Sequence, residues 1–296
     1  PTRVTQRSID ALGHRIAFLD SDTDGAPAVF LQLGVGSTIM WRRVLPALRA
    51  DARVIAIDLL GTGLSERLKP SAPGQKLRSR GATRIGEHVD ILDAVLELVD
   101  VDEPAVLVLH GLGSMVGFSW AERYPDRVRA IIHMESVVRP LEWDDLSDDF
   151  AALVRRMRGP EGHEYAVTSG DLFDDMMRFM TVNPLEARVL DAYRSELDSA
   201  AEDRWATFGA LGALPIGGSP ADEFDRVARY AEWLANSPVP KLLIRGEPGL
   251  LHSGTLGSDA EALPNQQVAR VMGTHLLSED APNGVAAFIG AMLKSV

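Results

Sequence analysis

The 296-residue chain contains no cysteine, which excludes disulfides, thiolate metal sites and a cysteine nucleophile. Positive charge is also scarce, because 30 Lys and Arg residues are outnumbered by 42 Asp and Glu residues, and the net charge of −12 would repel nucleic acid. No apolar run reaches the ~18 residues that a membrane helix needs, and residues 1–20 lack the basic-then-apolar pattern of a secretory signal. We therefore expect a cytoplasmic monomer or homodimer that binds a small molecule, and neither nucleic acid nor a membrane.

Metal-ligand spacings are missing from the sequence as well, and its glycine-rich turns lack the spacing of a phosphate loop. We expect neither a metal nor a cofactor. What the chain does contain is an alternation of strand and helix patterns. Strands are predicted for HRIAFLD, AVFLQL, RVIAID, PAVLVLHG, RAIIHMES, PKLLIRGE and QVARVMGTH, and helices for MWRRVLPALRA, RIGEHVDILDAVLELVD, SMVGFSWAERYPDRV and GVAAFIGAMLKSV. This alternation predicts a parallel sheet with helices on both faces.

Strand patterns stop after Glu135 and resume only near residue 240. The interval from 137 to 213 is helix-like and includes the methionine-rich segment DLFDDMMRFM. We interpret it as a helical cap above the sheet. The predicted division is a core formed by residues 1–136 and 214–296, with a cap formed by residues 137–213.

Several segments together carry a family likeness. VLVLHGLGSMVGFSWAERYPDRV, DLLGTGLSERL, EHVDILDAVLELV, RPLEWDD, PIGGSPAD, PVPKLLIRGEPG and GTHLLSEDAP resemble the haloalkane dehalogenases, over nearly the whole chain and less clearly between about 150 and 200. The resemblance implies an α/β-hydrolase fold, in which a mostly parallel central sheet is flanked by helices and carries a helical cap. It also implies a family mechanism. An Asp at a sharp elbow displaces halide, a His oriented by an acid activates water, and an Asn and a Trp hold the leaving halide.

The sequence departs from that family pattern where the chemistry occurs. The family elbow reads His-Asp-Trp-Gly, whereas this chain reads His110-Gly111-Leu112-Gly113, so that glycine takes the nucleophile position. Leu112 replaces the halide-binding Trp. In the loop that matches His-Gly-Asn-Pro, Val35 replaces the halide-binding Asn. Glycine cannot attack a substrate, and neither Leu nor Val offers a side-chain donor.

Two catalytic positions of the family are retained. His275 lies at the base position and Glu135 at the acid position used by one branch of the family. A carboxylate on the imidazole Nδ1–H fixes the tautomer and raises its basicity. The backbone N–H groups of Val35 and Leu112 are candidate oxyanion donors, because backbone donors do not depend on the side chain. Residues Gly34, Met176, Phe179 and Met180 are candidates for the cavity wall, and the lost Asp and Trp side chains predict a roomy site.

Other polar residues have less specific patterns. Ser114 invites an esterase interpretation, but the elbow Gly-x-Ser-x-Gly requires the serine at the turn and Ser114 lies three residues beyond it. For His110 a structural role is expected, and His133 and His252 are expected to be either structural or exposed. His163 is a weaker candidate for a residue that faces the cavity.

Three functions remain open from the sequence. The first is a non-covalent His–Glu acid/base enzyme, namely a cyclase, isomerase, lyase or water-activating hydrolase, that acts on a small, largely apolar organic molecule of the kind found in secondary metabolism. The second is a non-catalytic protein that binds such a molecule. The third, residual dehalogenase or esterase activity, is disfavoured because the elbow offers no attacking side chain.

Overall fold

The computed structural model describes residues 4–33, 36–67, 84–168, 171–196, 208–212 and 214–296. Its centre is an eight-stranded sheet with the order β1-β2-β4-β3-β5-β6-β7-β8. The strands are β1 Thr5–Ala11, β2 His14–Asp20, β3 Pro27–Leu33, β4 Arg53–Asp58, β5 Ala105–Gly111, β6 Val128–Met134, β7 Lys241–Pro248 and β8 Gln266–Gly273. Strands β3 to β8 pair in parallel, and β2 runs antiparallel to both of its neighbours. The α/β-hydrolase fold predicted from the resemblance is confirmed.

The helices flank this sheet and form the region above it. They are α1 Leu45–Leu48, α2 Ile85–Leu98, α3 Gly113–Arg123, α4 Asp148–Arg158, α5 Gly162–Thr168, α6 Asp171–Met180, α7 Ala187–Ser195, α8 Ala221–Asn236, α9 Thr255–Glu261, α10 Leu277–Asp280 and α11 Pro282–Ser295. Helix α3 packs on α2 and α8, and α1 packs on α11. Strand β5 is buried along its whole length, which explains why AVLVLHG is apolar without alternation.

Two sequence predictions differ from the observed elements. The segment MWRRVLPALRA forms a 3₁₀ helix at Thr38–Trp41 and the short α1, rather than one helix. Pro46 lies in the first turn of α1, where its missing N–H costs nothing, but it cannot continue a helix that began upstream. Strand β1 was not predicted, because it lies at the sheet edge with mostly exposed side chains and lacks an apolar run.

Helices α4 to α7 follow β6 and form the region interpreted as the cap, whose boundaries at residues 137 and 213 stay a prediction. Hydrogen bonds join this region to the core. The Tyr193 hydroxyl of α7 donates to Glu279 Oε1 at 2.6 Å, and Glu279 also pairs with Arg42. Within the described ranges, no helix has the length and apolar character needed to cross a membrane.

Candidate active site

The carboxyl ends of the parallel strands bring the site residues together. Gly111 ends β5, Glu135 follows β6 directly, and His275 lies two residues after β8. In the β5–β6 pair, His110 is in register with Met134, so that Gly111 and Glu135 leave the sheet side by side. This edge is where ligands bind in open parallel sheets.

Gly111 is the turning point between β5 and α3. Its φ of +53° lies in the left-handed region that favours glycine. A Cβ placed on Gly111 would lie 3.2 Å from Nε2 and 3.4 Å from Cε1 of His275. The imidazole edge therefore faces the α-carbon of the elbow residue, at the place where a side chain of that residue would begin.

Glu135 is held rigidly behind His275. Its carboxylate oxygen Oε2 lies 3.3 Å from His275 Nδ1 and accepts the backbone N–H groups of Leu250 at 3.0 Å and Leu251 at 2.7 Å. Glu135 is fully buried and has a φ of +46°, a strained conformation that its surroundings must maintain. Burial raises the pKa of its carboxyl, but the hydrogen bond with His275 and the neighbouring His252 outweigh burial, so that the pKa lies below its ordinary value.

This arrangement assigns the protons of the pair. An ionised Glu135 can only accept, so the hydrogen bond places a proton on Nδ1 of His275. In the neutral imidazole Nε2 then carries a lone pair, and Nε2 is the atom that faces the elbow. The pair is arranged as a general base with its acceptor directed at the elbow.

The backbone of His275 is fixed from two sides. Its N–H donates to the carbonyl of Met180 at 3.0 Å, and its own carbonyl accepts from Nε2 of His110 at 2.8 Å. Burial lowers the pKa of His110 to about 3, so this ring is neutral. His110 therefore ties the base to β5, in agreement with the structural role expected for it.

Ser114 is fully occupied by structural contacts. Ser114 lies in the first turn of α3, where its hydroxyl donates to the carbonyl of Gly111 at 2.6 Å and accepts the N–H of Val137 at 2.9 Å. These contacts hold the elbow against the segment after β6, and they leave the hydroxyl unsuited to attack a substrate.

A cavity of about 30 Å³ lies at the elbow. Three of its lining residues are polar (Gln32, His110 and His275), and the others are Leu112, Phe150, Met176, Met180, Leu211, Leu250, Leu251 and Leu276. A water molecule needs roughly 10–15 Å³, so the site is not the roomy one that the sequence analysis predicts. Apolar side chains from α4 and α6 close over the space instead.

The structure places the remaining predicted residues as follows. Met176, Met180 and Leu112 lie in the cavity wall, whereas Phe179 does not line it. Phe179 is half-buried and packs edge-on against Phe150, because its position on α6 is turned away from the stripe that Met176 and Met180 share. Gly34 and Val35 lie outside the described residues.

Sequence reasoning missed several wall residues. Gln32 is the most informative, since it is 1% exposed and its side-chain amide donates to the Gly36 carbonyl at 3.2 Å. Its signal was available, because a lone polar residue in the apolar run AVFLQL requires a buried partner. Leu250 and Leu251 had no such signal, since only their backbone contacts with Glu135 reveal them. Across the described ranges, no three Asp, Glu or His side chains are grouped to hold a metal ion.

Comparison with known proteins agrees with this fold. Residues 27–282 match the family model described as alpha/beta hydrolase fold. A haloalkane dehalogenase of Sphingobium indicum is 35% identical over 289 residues, which cover 98% of this chain and 95% of that protein. The chain belongs to the haloalkane dehalogenase-like α/β-hydrolase family.

Two further relatives of this haloalkane dehalogenase-like chain are informative. The crystal structure of the haloalkane dehalogenase DatA from Agrobacterium tumefaciens has a TM-score of 0.87 at 27% identity, and the match covers 99% of this chain and 97% of that one. A protein of Renilla reniformis named coelenterazine h 2-monooxygenase is 28% identical, with 98% of this chain and 91% of that protein covered.

Proposed function

We propose that this protein is a non-covalent acid/base enzyme, in which His275 removes a proton from a small, largely apolar organic substrate and returns it. The observation that carries the proposal is the approach of His275 Nε2 to Gly111, where a Cβ would lie only 3.2 Å away. The base is thus directed at an elbow whose residue has no side chain. On this proposal Gly111 is a vacated nucleophile position, and the bond-forming step of the family is absent.

The proton transfer follows from the hydrogen bonds of the pair. His275 accepts a substrate proton at Nε2 and becomes an imidazolium, whose positive charge the buried Glu135 carboxylate stabilises through Nδ1–H. The backbone N–H of Leu112, at the start of α3, is a donor for negative charge that develops on a substrate oxygen, with the Val35 N–H proposed as its partner. Return of the proton to another atom gives isomerisation or cyclisation, and loss of a group gives elimination. A proton taken from water gives a hydrolytic variant.

The wall of the cavity supports a substrate with an apolar body and one polar group. Apart from Gln32, His110 and His275 it offers only Leu, Met and Phe side chains. A cavity of about 30 Å³ admits only a few heavy atoms, and larger substrates require Met176 and Met180 to change rotamer. The relative named coelenterazine h 2-monooxygenase supports the view that relatives of this chain are not restricted to halide displacement.

A panel of small ketones, esters and 1-haloalkanes tests the proposal, with wild type, His275→Ala and Glu135→Gln compared by NMR detection of products. We expect turnover of at least one carbonyl compound by wild type, and a loss of about 10²-fold or more in His275→Ala with the fold retained. Turnover that survives in His275→Ala would refute the proposal. Thermal stabilisation by a panel member without any product would indicate a binding protein instead.

A further inference from the structure

The two carboxylate oxygens of Glu135 differ in their hydrogen bonding. Oxygen Oε2 is within hydrogen-bond distance of three donors, on Leu250, Leu251 and His275, whereas Oε1 is buried and has no hydrogen-bond partner among the described residues. The chain passes close to Oε1 at Gly249, where a Cβ would lie 3.1 Å from that oxygen. An unpaired buried carboxylate oxygen is costly, so the residues around Oε1 bear on the function of the pair.

A second imidazole lies beside this carboxylate. His252 is fully buried, and its Nε2 lies 2.8 Å from the carbonyl oxygen and 3.1 Å from the amide nitrogen of Ser136. Its Nδ1 is buried and, like Glu135 Oε1, has no hydrogen-bond partner in the described part of the chain. The N–H of Leu251 donates to Glu135, and the N–H of Ser136 donates to Nε2 of His252, so the two neighbouring pairs of residues lie side by side. With Nε2 as the acceptor, the proton of a neutral His252 ring is on Nδ1.

The charges around His252 point to the same carboxylate. Burial lowers the pKa of His252, and the nearby Glu135 carboxylate acts in the opposite direction. Arg245 donates to the carbonyl of His252 at 3.1 Å. The other titratable groups that act on this ring are the imidazoles of His275, His110 and His133. Glu135 is therefore the one anion among the groups that act on this ring in the described part of the chain.

We infer that His252 is a positioning residue that shares Glu135 with His275, by directing Nδ1–H toward Oε1. The inference rests on the proposed acid/base function of the same pair. In this arrangement part of the carboxylate's charge is neutralised from the side of Oε1, which limits how strongly Glu135 holds the imidazolium of His275 during turnover. When the His252 imidazole is removed, the full negative charge of the Glu135 carboxylate acts on the imidazolium of His275. His275 then retains its proton to a higher pH.

Titration of the histidine ring protons by NMR tests this inference in four proteins: wild type, His252→Leu, His252→Asn and His88→Leu. We expect the titration midpoint of His275 to move to higher pH in His252→Leu. It should return close to the wild-type value in His252→Asn, because the Asn amide nitrogen takes the place of Nδ1. His88 is equally buried and is not among the groups that act on Glu135, so His88→Leu should leave the midpoint unchanged.

Two results would overturn the inference: an unmoved midpoint in His252→Leu, or an equal shift in His252→Leu and His252→Asn, which indicates packing alone. If His252→Leu does not fold, His252→Gln replaces it, since its amide reaches the position of Nε2 but not that of Nδ1, and the same upward shift is expected. The titration needs no substrate. A shift without turnover of any panel compound therefore supports the role of His252 and counts only against the proposed function.

Discussion

At the residue scale, Gly111 has a left-handed backbone conformation, and the imidazole of His275 lies next to its α-carbon. Any larger residue there must tolerate a φ of +53° and displace the imidazole of His275 by a few tenths of an ångström. Both requirements raise the free energy of the folded state. A side chain at position 111 would therefore destabilise the folded state. Without one, the imidazole of His275 can contact a bound molecule directly.

Restoration of an aspartate tests this view of the elbow. Gly111→Asp is expected to lose about 1–2 kcal/mol of unfolding free energy through backbone strain. It should release little bromide from 1-bromobutane, because the side chain of Leu112 carries no donor for the leaving halide. Bromide release and urea unfolding provide the measurements, with Gly111→Ala as the control for strain alone. Efficient, His275-dependent bromide release by Gly111→Asp would contradict the proposed loss of the halide site.

At the element scale, Glu196 at the C-terminal end of α7 contacts the core. Ser37 Oγ donates to Glu196 Oε1 at 2.5 Å, and Arg67 donates to the Glu196 carbonyl at 2.6 Å. Burial raises the pKa of Glu196 to about 7, Asp58 adds to the increase, and Ser37 and Arg67 oppose it. Between pH 4.5 and about 7 the folded protein thus holds a proton that the unfolded chain has released.

The sign of the pH dependence follows from that difference. The contribution of Glu196 to stability falls as pH rises from 4.5 to about 7 and is constant above it. Glu196→Gln removes this dependence. The difference in unfolding free energy, variant minus wild type, should therefore be about 1–2 kcal/mol larger at pH 8 than at pH 5, after allowance for partial exposure. Urea unfolding at both pH values measures it, with the exposed Glu186→Gln on the same helix as control. An equal difference at pH 5 and pH 8 would show that Glu196 is ionised throughout.

The observed strands and helices show which parts of the fold the sequence predicts. Buried strands such as β5 were predicted because continuous apolar runs are typical of a parallel sheet. Glu135 and His275 were located through the resemblance to the haloalkane dehalogenases, whose acid and base positions they occupy. Strand β1 was missed because its exposed edge position leaves it without an apolar run, and the break at Pro46 was missed because the residues on both sides of the proline were assigned to one helix. Leu250 and Leu251 were missed as well, because they bind Glu135 through backbone N–H groups, which the side-chain pattern does not reveal.

At the scale of the whole molecule, the base depends on contacts between the helices above the sheet and the core. The N–H groups of His275 and Leu276 both donate to the Met180 carbonyl at the end of α6. On the next helix, the buried Tyr193 donates to Glu279, which lies in α10 four residues after His275. A displacement of these helices would therefore disturb His275 as well as uncover the cavity.

A single hydroxyl tests this coupling. Tyr193→Phe should lower the free energy of unfolding by about 1–2 kcal/mol, since Glu279 loses a buried donor but keeps Arg42. It should also increase proteolytic cleavage between residues 148 and 195, where helices α4 to α7 lie. Tyr124→Phe serves as the control, because its hydroxyl binds Asp93 at 2.9 Å outside this contact. Equal cleavage patterns in the two variants would argue against a coupling through Tyr193.

Hydrogen–deuterium exchange of small ketones most directly tests the claim that His275 moves a proton without a nucleophile at the elbow. Acetone and 2-butanone are among the smallest ketones and carry protons next to a carbonyl. In D₂O, loss of their α-proton NMR signals should be faster with wild type than with His275→Ala, and Glu135→Gln should resemble His275→Ala. Equal exchange in the three proteins, or a covalent adduct on wild type by intact mass, would contradict the proposed mechanism.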